Sequence, residues 1–210
     1  MSDTQIKRLY IIRHGETELN KQKIVQGRGI DADLNDTGRA QAEAFYQYYK
    51  DVPFDKVYTS KLKRTHQTVI KFIKSGLPWE QLAGLDEVAW GNYEGEKHSP
   101  ELDINFTKLI TSWASGDYDN KAVGGESPNE VHVRQVEAMD KILSHQNEKT
   151  VLICMHGRAL RLLMCGLINQ PFKNMDEFPH QNTSLYVLDY NGKDFAIEEF
   201  NSLAHLQQQL

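Results

Sequence analysis

Cysteine is scarce in this sequence. Cys154 and Cys165 are the only two in 210 residues, and both sit in apolar stretches without metal-ligand spacing. A disulfide framework is excluded, both residues read as core thiols, and a reducing compartment is the default. Long apolar runs are missing as well, so nothing reads as a bilayer span. The opening residues Met1-Ser2-Asp3-Thr4-Gln5 are polar and lack the basic-then-apolar order of a secretory signal. The expectation is a cytoplasmic chain with no membrane partner. Positive charge is in deficit, with a net charge of −5, which argues against a basic surface for nucleic acid. An acidic chain that binds phosphate must do so with a local cluster of cations. Repeats and low-complexity segments are also absent. With 40% hydrophobic and 25% charged residues, the chain reads as one globular domain over residues 1–210, with room for a homodimer.

The apolar pattern predicts an α/β fold. Leu9-Tyr10-Ile11-Ile12 is a continuous apolar run that stops at Arg13-His14-Gly15, as a buried strand ending in a loop would. A helix is predicted from Thr37 to about Lys50, capped by Asn35 or Asp36, with Ala40, Ala44, Phe45 and Tyr48 at helical spacing. Lys56-Val57-Tyr58-Thr59 reads as a strand. Ser60 is then expected to cap a helix carrying Leu62, Val69, Phe72 and Ile73. The stretch at about 91–125 has weaker periodicity and reads as an insertion covering one end of the domain. A long helix follows from Ser127 to His145, with Pro128 in its first turn. Val151 to Met155 is a second buried strand, ending in His156-Gly157. The next helix carries Leu160, Leu163, Met164 and Leu167 on one face. Ser184 to Asp189 and Phe195 to Phe200 read as closing strands joined through Asn191-Gly192. The alternation predicts a three-layer α/β sandwich with a mostly parallel central sheet.

Two buried strands that each end in His-Gly place both histidines where open α/β sheets bind ligands. Arg13 precedes the first, Arg64 begins the helix after the second strand, and Arg158 and Arg161 follow His156. Gly15 and Gly157 would let backbone N–H groups approach an anion, and the helix after His156 would add partial positive charge. These parts suit a phosphoryl group. Simpler readings stand beside this one. Arg158 and Arg161 also fit a solvated helix face. Arg28 fits either a contact with the far end of a substrate or a solvated loop. Phe106, Leu109, Ile110 and Trp113 fit either a pocket wall or a core. His66, His98, His132, His145, His180 and His205 lack ligand spacing and read as structural or surface residues. Asp31-x-Asp33-x-Asn35 opens like a calcium loop, but Asp36 and Ala42 stand where that loop needs glycine and glutamate. Asn182-Thr183-Ser184 is a sequon without a secretory context.

Arg13-His14-Gly15-Glu16-Thr17, with Asn20 beyond it, resembles the signature of the histidine phosphatase superfamily, also called phosphoglycerate mutase-like. The likeness continues in order through Gln26-Gly27, Leu34-Asn35, Gly38, Ser60-x-Leu62-x-Arg64-Thr65-x-Gln67-Thr68 and Leu85-x-Glu87. It then runs through Trp90-Gly91-x-Tyr93-Glu94-Gly95, Gly124-Gly125-Glu126-Ser127, His156-Gly157 and Asn182-x-Ser184. The resemblance implies a phosphoglycerate mutase-like fold with a helical insertion over the site. It makes His14 the nucleophile that forms a phosphohistidine. Arg13, Arg64 and His156 would bind phosphoryl oxygens, with Asn20 as a neutral donor; Gly157 and Arg28 are candidate substrate contacts by their positions alone. Glu87 would protonate the leaving alkoxide and then activate water, with Asp86 and Glu94 as nearby competitors for that role. Burial would raise its pKa as the role requires. No metal and no cofactor is implied, because arginines supply the positive charge.

The resulting expectation is a metal-independent phosphomonoester hydrolase for a small phosphorylated metabolite. A cofactor-dependent phosphoglycerate mutase is the main alternative, and a non-catalytic phosphate-binding module is a weaker one. The stretch 95–124 is short, holds the single proline Pro100, and carries the cations Lys97, Lys108 and Lys121. The resemblance associates mutases with a longer, more basic insertion there, so it favours the phosphatase branch. Sugar phosphates, phosphoglycerates, nucleotide-like phosphates and a cobalamin-precursor phosphate all fit the sequence.

Overall fold

A computed structural model describes residues 6–97 and 99–207. Met1–Gln5 and His98, both given readings above, lie outside the described residues. The elements run β1 (Lys7–Arg13), α1 (Glu18–Lys21), α2 (Asp36–Tyr49), β2 (Lys56–Thr59), α3 (Lys63–Thr68), α4 (Ile70–Lys74) and β3 (Trp79–Gln81). After these come α5 (Pro100–Ala114), α6 (Pro128–Ser144), β4 (Thr150–Met155), α7 (Gly157–Leu167), β5 (Leu185–Tyr190), β6 (Phe195–Ser202) and α8 (Ala204–Gln207). The sheet order is β3-β2-β4-β1-β5-β6. The first four strands are parallel, while β5 and β6 close the sheet antiparallel.

The continuous apolar runs follow from this topology. A central strand covered on both faces needs apolar residues at every position. In β1, Leu9 and Ile11 join one core, while Ile12 joins the other with Tyr10 against it. In β4, Val151, Ile153 and Met155 face the first core, and Leu152 and Cys154 the second. Residues of α6 and α7 fill the first layer and those of α2 and α4 the second, giving the expected three-layer sandwich.

Local chemistry sets the helix starts. Asn35 accepts the Gly38 N–H at 2.8 Å to cap α2, and Ser127 with Glu130 forms a reciprocal capping box on α6. Ser60 Oγ accepts the Leu62 N–H at 3.1 Å, as a cap does, but the regular helix begins only at Lys63. Leu62, which has no side-chain acceptor, occupies the N-cap position of α3, and the same Ser60 hydroxyl also meets His156 at 2.7 Å. The single helix expected there also breaks at Val69 into α3 and α4. Thr68-Val69-Ile70 is a β-branched run, which crowds a helical backbone. Strand β3 had no alternation to announce it. The insertion is pinched at its base by a bridge between Trp90 and Gly125. Within it, Leu109 and Trp113 enter the core, whereas Phe106 does not.

One packing contact ties the fold to the loop after β1. A Cβ on Gly38 would lie 2.1 Å from the Glu16 carbonyl oxygen, and one on Gly15 would lie 2.7 Å from the Gly38 oxygen. The His14 loop therefore rests backbone-to-backbone on the first turn of α2. Gly38→Ala is expected to cost about 1–3 kcal/mol through overpacking. It should also shift the NMR signals of the His14 ring. An unchanged urea midpoint with unchanged ring signals would show that the contact is slack.

Candidate active site

Parallel pairing of β1 with β4 brings the two His-Gly turns side by side. The His14 N–H donates to the Met155 carbonyl at 3.0 Å, and the His14 and His156 rings lie 5.1 Å apart. His14 is 3% exposed. Burial, reinforced by Arg64 and Arg13, holds its pKa well below the ordinary histidine value, so the ring is neutral. Its Nδ1 lies 2.7 Å from the Gly15 carbonyl oxygen. A carbonyl only accepts, so Nδ1 carries the proton and Nε2 keeps its lone pair. Gly15 itself does not offer its N–H to an anion as expected, because that group donates to Thr68 Oγ1 at 2.9 Å.

His156 is neutral for the same reason, with burial first and Arg64 and His14 adding to it. Arg64 Nε donates to its Nδ1 at 3.2 Å, so Nε2–H donates to Ser60 Oγ. Arg64 is fully buried and also donates to the carbonyls of Ile30 at 2.6 Å and Gly27 at 3.2 Å. Two of its five N–H groups stay uncommitted. Asn182 Nδ2 donates to the His14 carbonyl at 3.0 Å and to Asn20 Oδ1 at 3.3 Å. Asn20 Oδ1 also accepts the Thr17 N–H, which leaves its NH₂ as a donor for a ligand.

A cavity of about 190 Å³ opens beside His14. Arg13, Asn20, Gly157, Arg158, His180 and Glu87 supply its polar wall, and Val25, Trp90 and Phe106 its apolar one. Arg64 and His156 do not line it. Arg13 donates to His180 Nδ1 at 3.2 Å and has a buried, unpartnered Nε. Burial pulls its pKa down to about 10, with Arg64 and Arg161 adding repulsion and Glu87 opposing it.

Of the three candidate acids, only Glu87 reaches the cavity. Asp86 is committed to the Lys61 N–H at 2.8 Å and to Arg28 at 3.1 Å, and Glu94 accepts the Trp90 N–H at 2.9 Å. Glu87 is 7% exposed and accepts three backbone N–H groups: Val88 at 2.9 Å, Ala159 at 2.8 Å and Arg158 at 3.2 Å. It thereby caps the first turn of α7, a contact invisible in its local sequence. Arg134 of α6 holds the same segment, donating to the carbonyls of Gly84, Asp86 and Glu87 at 2.9–3.0 Å. No sequence signal singled out Arg134.

Further expectations need correction. His156, expected to bind a phosphoryl oxygen, has both ring nitrogens engaged, with Arg64 and Ser60. Arg28 does not line the cavity; it pairs with Asp86 and Glu126. Arg158 and Arg161 are not solvated, at 17% and 18% side-chain exposure, and both pair with Asp176. His180 is not a bystander but a wall of the cavity. A Cβ on Gly157 would meet its ring at 2.6 Å, so Gly157 makes room for His180 as well as for a ligand. Among the described residues, no group of three or more His, Cys, Asp or Glu side chains is placed to hold a metal ion. No helix among them is long and apolar enough to cross a membrane.

The chain as a whole has relatives among known proteins. Residues 9–203 match the sequence profile of the histidine phosphatase superfamily (branch 1). A broad-specificity phosphatase of Saccharomyces cerevisiae is 30% identical over 219 residues, covering 97% of this chain and 89% of the yeast protein. A putative phosphoserine phosphatase of Hydrogenobacter thermophilus is 26% identical over 206 residues, covering 97% of this chain and 99% of that one. The crystal structure of the α-ribazole phosphatase from Shigella flexneri superposes with a TM-score of 0.81 at 27% identity, covering 93% of this chain and 96% of that one.

The buried imidazoles predict an acid-sensitive fold. His14 and His156 have folded pKa values well below the ordinary value, and burial takes His180 to about 3 and His205 to about 4. Below the unfolded pKa the unfolded chain binds protons that the folded chain does not. Stability is therefore level above about pH 6.5 and falls as pH drops. The expected loss is about 1.4 kcal/mol per pH unit for each of His14 and His156. Urea midpoints between pH 7.5 and 5 check this, and a flat profile would mean that these rings are charged in the folded state.

Proposed function

The chain belongs to the histidine phosphatase superfamily and is a phosphatase, and on that footing we propose that it hydrolyses small phosphomonoesters through a phosphohistidine on His14. The observation that carries the reading is the His14 Nδ1–H···O=C Gly15 bond, which leaves a neutral Nε2 lone pair at the cavity. In the first step Nε2 attacks phosphorus and the bond to the leaving oxygen breaks. Glu87, once protonated, gives that oxygen its proton. In the second step the Glu87 carboxylate takes a proton from water, the oxygen attacks phosphorus, and the P–N bond breaks to release phosphate. Arg13 faces the cavity and neutralises charge in the transition state. The Asn20 NH₂ adds a neutral donor, and Arg64, held by His156 through Nδ1, adds positive charge beside His14. The positive charge comes from arginine, so the scheme routes no step through a metal. The cavity is small against the roughly 300–1,000 Å³ of ordinary ligand pockets, which suits a small metabolite. The relatives described above are named a putative phosphoserine phosphatase, an α-ribazole phosphatase and a broad-specificity phosphatase.

His14→Ala is expected to abolish turnover of p-nitrophenyl phosphate while keeping a cooperative unfolding transition. Wild-type enzyme in excess chelator should keep its rate and, on rapid quench, yield acid-labile phosphate on the protein. Full activity in His14→Ala, or loss in chelator restored by a divalent ion, contradicts the scheme.

Glu87→Gln tests the acid. An alkyl phosphate needs a protonated leaving group and an aryl phosphate needs it far less. The variant should therefore lose alkyl phosphatase activity at least tenfold more than p-nitrophenyl phosphatase activity. It should also lose about 1–3 kcal/mol of stability, since an amide NH₂ would face a backbone N–H of α7. Equal losses on both esters would leave Glu87 as a helix anchor alone.

A further inference from the structure

Arg158 stands on the cavity wall without a part in the chemistry above. Its guanidinium donates to Asp176 Oδ1 at 3.1 Å and to Met175 Sδ at 3.4 Å. Arg161 bonds the same Asp176 oxygen, and its own Nε is buried without a partner. Two guanidinium groups thus share one carboxylate. That carboxylate is 57% exposed, while the arginine side chains are 17% and 18% exposed. Glu87, the other carboxylate on this wall, carries a proton when the substrate is bound in the scheme above, and in that state it supplies no negative charge to Arg158. One positive charge here therefore lacks a counter-charge, and His180, neutral beside Arg13, supplies none. A guanidinium removed from water without an anion is costly, and structures hold such groups where a ligand completes them.

We propose that Arg158 forms a second anion subsite, so that the preferred substrates are phosphomonoesters carrying another negative group, a carboxylate or a phosphoryl, a few bonds from the scissile ester. The short span follows from the cavity, since Arg13, His14 and Arg158 line the same 190 Å³. The inference rests on the phosphatase reading of His14. The apolar patch of Val25, Trp90 and Phe106 faces the remainder of the molecule and sets no charge requirement.

Glycerol 3-phosphate, 3-phosphoglycerate and glycerol 1,3-bisphosphate test it. The second replaces a terminal CH₂OH of the first by a carboxylate, and the third esterifies that hydroxyl with phosphate. Wild-type kcat/KM should be at least tenfold higher for one of the two charged compounds than for glycerol 3-phosphate, and the favoured one identifies the anion. Arg158→Gln should lower that ratio at least tenfold, mainly through KM, and Arg158→Lys should restore part of it. Asp176→Asn frees the arginines and should raise the ratio, which keeps the test open if Arg158→Gln does not fold. A wild-type ratio under threefold for both compounds overturns the subsite. So does an Arg158→Gln loss that is equal on all three. Absence of turnover on all three and on p-nitrophenyl phosphate would overturn the hydrolase reading itself, whereas turnover without discrimination would overturn the subsite alone.

Discussion

The structure depends first on the register between β1 and β4. Leu9 pairs with Val151 and the ladder runs without a bulge to Arg13 opposite Met155. Because the pairing is parallel and level, the strands end together and His14 and His156 emerge as neighbours. A slip of one residue would exchange the faces of either strand, moving apolar residues between the two cores and separating the rings. Strand β2 pairs with β4 up to Thr59 opposite Cys154, which brings Ser60 to His156 and starts α3 where Arg64 meets the same ring. The site is the place where three strand ends align.

That alignment has an electrostatic consequence. Arginines crowd one end of a protein whose net charge is −5, and burial must neutralise something. It neutralises the histidines, whose ordinary pKa lies near neutrality, and leaves the guanidinium groups charged. The same desolvation thus yields both an uncharged nucleophile and an excess of positive charge facing a small cavity. The Arg13 Nε, buried and unpartnered, measures how incomplete the arrangement is without an anion.

Much of this was legible in the sequence, for identifiable reasons. The strands ending in His-Gly, the helix starting at Asn35 and the helix opening at Ser127-Pro128 are local signals, and each is met within a few residues. What escaped was non-local. His180 comes from a loop far along the chain and reaches Arg13 only because β5 pairs with β1. The Arg134 clamp joins the middle of α6 to a segment about fifty residues earlier. Arg158 and Arg161 resemble any basic pair on a helix until Asp176 and the cavity are in place. Ser60 was legible only by half: its hydroxyl accepts the Leu62 N–H as a cap would, and its second partner, His156, is tertiary.

The Glu87 contact with α7 has a consequence of another kind. One carboxyl group serves as the end stop of a helix and, in the proposed scheme, as the carrier of a proton. Each time it gains that proton it becomes a poorer acceptor for the Arg158 and Ala159 amides, and each time it loses the proton it grips them again. The chemical state of the cavity is thereby written into the backbone of the element that follows the second histidine. Those two amides are built-in reporters, and their proton resonances would follow the catalytic cycle from outside the reacting atoms.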